Sequence, residues 1–121
     1  MTYVDGFVLA IPTNNLDEYR EMAQKAGEVW KEYGALDYRE CVAEDTEDKG
    51  FGMMTFPNLI NLKDDETAVF SYIVYPSREK RDEINKKVME DARLKDSCNP
   101  EKMPFEMKRM AYGGFETLVE V

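Results

Sequence analysis

Residues Val69 to Tyr75 read Val-Phe-Ser-Tyr-Ile-Val-Tyr, a run in which Ser71 is the only small polar residue, and they stop at Pro76-Ser77-Arg78. Branched and aromatic residues in such a run predict a strand covered on both faces. Proline ends it, and serine opens a helix by accepting a bond from an orphan backbone N–H. The same junction occurs near the start, where Phe7-Val8-Leu9-Ala10-Ile11 runs into Pro12-Thr13-Asn14. Two strand-to-helix junctions within 121 residues predict two βαβ halves. The pattern constrains the fold tightly and the function hardly at all.

The remaining elements follow from periodicity. Tyr3 to Ile11 reads as a strand interrupted by Asp5 and Gly6. A first helix begins at Asn14 or Asn15, each able to cap it, and carries a stripe of Leu16, Tyr19, Ala23, Ala26, Trp30 and Tyr33. Gly34 ends it in a left-handed conformation. Leu36 to Ala43 alternates as a strand, with Leu36, Tyr38, Glu40 and Val42 on one face and Asp37, Arg39 and Cys41 on the other. The third strand is Ala68 to Tyr75. A second helix runs from Arg78 to Ala92, capped by Ser77, with Ile84, Val88 and Ala92 inward. Met110 to Val119 forms the last strand, where Gly113-Gly114 marks a bulge or a close backbone approach.

The order β-α-β-β-α-β predicts a ferredoxin-like α+β domain over residues 1–121, an antiparallel sheet with both helices on one face. The helices cover one face only, while the third strand is apolar on both. A second copy of the chain is the natural cover, so we expect a homodimer through the sheet face. The 44–67 connection is long for a hairpin. It reads as an acidic turn over 44–50 followed by an apolar stretch, Met53 to Ile60, expected to form a short strand and a helical turn. Two prolines keep the segment from Cys98 to Phe105 out of a helix. Both segments are read first as structural arms that close the sheet edge.

Composition removes several kinds of chemistry. The chain has no histidine, which excludes histidine-based triads and most zinc, haem and iron sites. Cys41 and Cys98 are too far apart for a metal cluster, and Cys41 reads as a small buried hydrophobe. We therefore expect no metal and no cofactor. A net charge of −9, with basic residues alternating among acidic ones, argues against nucleic acid and anionic membranes as partners. No apolar run reaches the roughly 18 residues of a membrane span. The first residues lack a secretory leader pattern, so the expected setting is cytoplasmic.

Several segments taken together are similar to a known family. Tyr3-Val4-Asp5-Gly6-Phe7, Glu40-Cys41-Val42, Phe70 to Arg78, Arg81-Asp82, Asn85, Lys87-Val88-Met89, Met103-Pro104-Phe105 and Lys108 to Phe115 resemble the DUF1428 family of small bacterial proteins. The resemblance covers nearly the whole chain and implies a dimeric α/β-barrel fold. The family is named for unknown function, so the resemblance carries no activity and no catalytic residues.

Two classes of function fit these residues. The first is a dimeric module that binds a small molecule. The second is an enzyme of oxygenase or isomerase type that works without a cofactor on a small apolar or anionic metabolite. Either would use a pocket lined by Trp30, Tyr38, Phe56 and Tyr72, with Glu40 facing it, Arg109 orienting an anionic group and Arg78 as a further ligand contact. Glu40 stands out because its strand face is otherwise apolar. Such a carboxylate either pairs with a cation, here Arg78, Arg109 or Lys108, or is tuned for proton transfer, and the ion pair is the first expectation. Trp30 continues the helix stripe and reads as core before it reads as a ligand wall. Arg78, Arg81, Asp82 and Asn85 share one side of the second helix and form either a carboxylate-binding set or an ion-pair ladder. With no histidine for general base, the binding module is the leading reading.

Overall fold

The computed structural model describes residues 1–95 and 102–121, so Cys98 lies outside the described residues. The elements in order are β1 (Tyr3–Pro12), α1 (Leu16–Glu32), β2 (Asp37–Val42), α2 (Phe56–Leu59), β3 (Glu66–Tyr75), α3 (Arg78–Glu90), α4 (Ala92–Lys95) and β4 (Ala111–Glu116). The strands form one sheet in the order β2-β3-β1-β4, and every neighbouring pair is antiparallel. This is the ferredoxin-like α+β arrangement. The two βαβ halves interleave, because β3 lies between β1 and β2 while β1 lies between β3 and β4.

Registry follows from the side-chain pattern. β1 pairs with β3 along its whole length, from Tyr3 opposite Tyr75 to Pro12 opposite Glu66. A slip of one residue would turn every core side chain to the other face. Leu9, Ile11 and Val69 pack on Tyr19, Ala23 and Phe105, and Ile73 and Tyr75 pack on Val29, Ile84, Val88 and Leu94. Fully burying a side chain of this size is worth about 1.5–3 kcal/mol.

Local chemistry sets the helix ends. Ser77 Oγ accepts from the Lys80 backbone N–H at 3.1 Å and opens α3. Gly34 sits at a φ of 117° after α1, a conformation that a Cβ would strain. The expected asparagine cap of α1 does not form. A 3₁₀ turn over Thr13–Asn15 precedes the helix, and the Asn15 amide donates instead to the Pro104 carbonyl at 2.9 Å. The α3 stripe also stops early. Asp91 is extended, and Leu94 on α4 enters the core in place of the exposed Ala92.

The 53–60 stretch supplies the helical turn α2 and no strand. The glycine pair in β4 makes no bulge, since its pairing with β1 runs unbroken from Val8–Ala111 to Tyr3–Glu116. The glycines serve close approach instead: a Cβ on Gly114 would lie 2.5 Å from Tyr3 Oη and nearer still to the Arg81 guanidinium.

The other sheet face carries Val4, Val8, Phe70, Tyr72, Val74 and Phe115, by alternation from the core residues. Phe70 and Phe115 are exposed there, while Ala10 and Ala68 are buried against Ile60. Cys41 lies on this face of an edge strand and is exposed, which corrects the expectation of a buried thiol. No helix among the described residues is long and apolar enough to cross a membrane.

Candidate functional site

A half-enclosed cavity of about 150 Å³ lies between α1 and the helix-facing side of the sheet. Its walls are apolar: Phe7, Leu9 and Ile73 from the sheet, Ala23 and Trp30 from α1, and Leu94 and Phe105 beyond them. Two polar side chains stand side by side on its sheet wall at paired positions, Glu40 on β2 and Ser71 on β3. Ser71 is the small polar residue that interrupts the apolar third strand.

Each oxygen of the Glu40 carboxylate accepts one phenol. Tyr19 on α1 donates to Oε1 at 2.7 Å, and Tyr38 donates to Oε2 at 2.7 Å. Tyr38 precedes Glu40 by two residues, so strand alternation puts both on one face. Burial first, and then the charge of Glu40, push both phenols far above their ordinary pKa, so both stay protonated and donate.

Gly27 makes this arrangement possible. A Cβ there would lie 2.7 Å from two carbons of the Tyr38 ring, so only glycine lets the ring lie under α1. The Tyr38 ring then meets Trp30 at 6.0 Å between centroids, and Tyr19 meets Phe105 edge-on at 5.7 Å. On the other side of this cluster a groove of about 510 Å³ runs between α1 and the β2 edge, lined by Arg20, Gln24 and Lys31. Tyr19, Tyr38 and Glu40 line both spaces and form the wall between them.

The expected ion pair at Glu40 is absent: among the described residues Glu40 pairs with no cation. Its three candidate partners lie on other carboxylates. Arg78 pairs with Asp82 at 3.3 Å, Lys108 with Glu106 at 3.9 Å, and Arg109 with Glu66. Arg109 also donates to the Ile60 and Asn61 carbonyls at 3.1 and 2.8 Å, which makes it an anchor for the 56–66 segment. Sequence reasoning grouped seven residues, and the structure brings three of them together: Trp30, Tyr38 and Glu40. Phe56 and Tyr72 lie on the opposite sheet face, each stacked near Phe70. Arg78 lies over the Tyr3 ring at 5.7 Å, away from the cavity.

A second polar cluster joins Arg81 and Asn85 of the α3 set to Asp5, which the sequence showed only as an interruption of β1. Asp5 is fully buried, and Arg81 Nε donates to its two oxygens at 3.0 and 3.2 Å. Tyr75 Oη and Asn85 Nδ2 approach the same carboxylate at 3.2 and 3.4 Å. The Trp30 indole N–H reaches Tyr75 Oη at 3.1 Å and Asn85 Oδ1 at 3.0 Å. The expected ladder on α3 therefore divides. Arg78 and Asp82 form its exposed part, while Arg81 and Asn85 turn inward. Among the described residues no group of three or more Asp, Glu, Cys or His is placed to hold a metal.

The family model described as "Protein of unknown function (DUF1428)" matches residues 2–107. The chain belongs to the DUF1428 family. Within the family it is 49% identical to the uncharacterized protein YbaA of Escherichia coli K12, over 99% of both chains. Solved structures similar to this DUF1428 chain share the fold at low identity. A proposed antibiotic biosynthesis monooxygenase from Nitrosomonas europaea aligns with a TM-score of 0.59 at 13% identity, over 97% of this chain and 90% of that one. A dimeric ferredoxin-like protein from an uncultured marine organism aligns at 0.58 and 14% identity, over 99% and 98%. An uncharacterized NIPSNAP domain protein from Burkholderia xenovorans aligns at 0.57 and 16%, over 95% and 93%.

Proposed function

We propose that this chain is a homodimeric module that binds a small, largely apolar molecule in the cavity between its sheet and α1. The observation that carries the reading is the cavity itself, whose aromatic and aliphatic walls enclose a fixed polar cluster at one place. Binding sites are apolar hollows of this kind, with a few polar groups that orient the ligand. A volume of about 150 Å³ is that of a single ring, since apolar cavities of about this size hold one benzene. Toluene is therefore the first probe. At about 100 times its Kd a ligand adds roughly 2.7 kcal/mol to stability. A Tm that moves with neither toluene nor any other single-ring probe at saturation overturns the reading.

One observation favours a second reading, proton transfer without a cofactor. Glu40 faces the cavity with no ion-pair partner among the described residues, and a carboxylate so placed can serve as a general base. A cytoplasmic setting goes with either reading, since two widely spaced cysteines build no disulfide framework.

Dimerisation through the outer sheet face is supported by the exposed Phe70 and Phe115 and by the dimeric fold neighbour. Val74→Asp buries an unpaired charge there and should yield monomer or insoluble protein. Sedimentation that finds a folded 14.1 kDa wild-type monomer at micromolar concentration overturns the dimer.

A further inference from the structure

We infer that the cavity selects a small organic cation, a protonated amine on a ring-sized apolar body. The inference rests on the cavity being the binding site, and adds the chemical class of what it holds.

Charge comes first. Among the described residues Glu40 is the only charged side chain lining the cavity, and it pairs with no Lys or Arg. A carboxylate between apolar walls is attracted most strongly to a positive charge, which restores the solvation it has lost. The donors already present do not exhaust it. A carboxylate offers about four acceptor positions, and the two phenols occupy one on each oxygen. An ammonium group brings three N–H donors to the two positions left free.

The walls point the same way. Phe7, Tyr19, Trp30, Tyr38 and Phe105 bring five aromatic rings to the cavity, and ring faces attract a cation. The Tyr19 and Tyr38 hydroxyls are donated to Glu40, and the Trp30 N–H is turned to Tyr75 and Asn85, so none of these competes for the ligand. Ser71, buried and paired across from Glu40, adds a hydroxyl that can accept from the same ammonium. The net charge of −9 draws cations toward the molecule and repels anions. Arg109, the residue expected to orient an anion, lies on Glu66 instead.

Calorimetric titration with four ring-sized probes tests this at neutral pH: toluene, benzyl alcohol, benzylamine and benzoate. We expect benzylamine to bind wild type at least about tenfold more tightly than benzyl alcohol or toluene, the low end for a hydrogen bond to a charged group. Benzoate should not bind. In Glu40→Gln the benzylamine advantage should vanish while toluene affinity persists. Toluene binding with no benzylamine advantage in wild type overturns the amine inference and leaves the cavity reading standing. An advantage that survives in Glu40→Gln also overturns it. If no probe binds, both readings fall. The wild-type comparison of the probes decides the question even if the variant does not fold.

Discussion

Asp5 on β1 and Glu40 on β2 both point from the sheet toward the helices, and their surroundings differ in kind. Asp5 meets a guanidinium, a phenol and an amide in a space closed over by Gly114. Its charge is compensated, and both its oxygens accept hydrogen bonds. Glu40 meets two phenols, keeps its charge uncompensated and borders two open spaces. A buried ion pair with full hydrogen bonding locks α3 onto β1 and leaves nothing for a ligand to do. A carboxylate held only by neutral donors is less favourable for stability, and such costs concentrate where proteins bind or react.

The contrast can be broken first at Arg81. Arg81→Leu leaves Asp5 buried and unpaired, and should lower stability by about 3–5 kcal/mol in denaturant unfolding. A loss below about 1 kcal/mol would mean that Asp5 relies on Tyr75 and Asn85 alone, and the two carboxylates would then be alike. Next is Tyr38→Phe, which removes one of the two donors to Glu40. Hydrogen bonds to charged groups are worth about 1.5–3 kcal/mol, and unfolding should show a loss in that range.

Gly27→Ala sharpens the geometry behind that bond. Overpacking against the Tyr38 ring costs about 1–3 kcal/mol, and the better helix propensity of alanine returns about 1 kcal/mol. We expect a net loss near 1 kcal/mol. In a Tyr38→Ala background the same change should become stabilising, because the collision is gone. The smallest effect belongs to Glu40→Gln. With no cation to orphan, the charge assistance lost from the two phenol hydrogen bonds is set against relief of a half-buried charge, so stability should change by less than about 1 kcal/mol. A fall of 3–5 kcal/mol would show that Glu40 is a second structural anchor.

Much of the scaffold was readable from residue order. The Pro76-Ser77 junction placed β3 and α3 to within a few residues, and Ser77 caps as its type demands. Alternation along β2 put Tyr38, Glu40 and Val42 on one face. Asn15 misled because its amide found a distant carbonyl, that of Pro104, which no local pattern announces. Gly113-Gly114 pointed correctly to a close approach, yet the groups approached, Arg81 and Tyr3, belong to other elements.

The site was legible only in outline. A lone carboxylate on an apolar strand face marked Glu40, while Ser71 was read only as the exception in an apolar strand. Tyr19 was seen as one residue of a helix stripe, and nothing in its spacing tells a core tyrosine from one that donates to a carboxylate. Periodicity assigns a side chain to a face, because 3.6 and 2 residues per repeat are local properties of the backbone. Which partner it meets there depends on how helices and strands far apart in sequence are set against each other. Order and periodicity therefore determined the strands, the helices and the ferredoxin-like sheet. Packing alone decided that Arg81 goes to Asp5, Arg109 to Glu66, and Glu40 to two tyrosines beside a cavity.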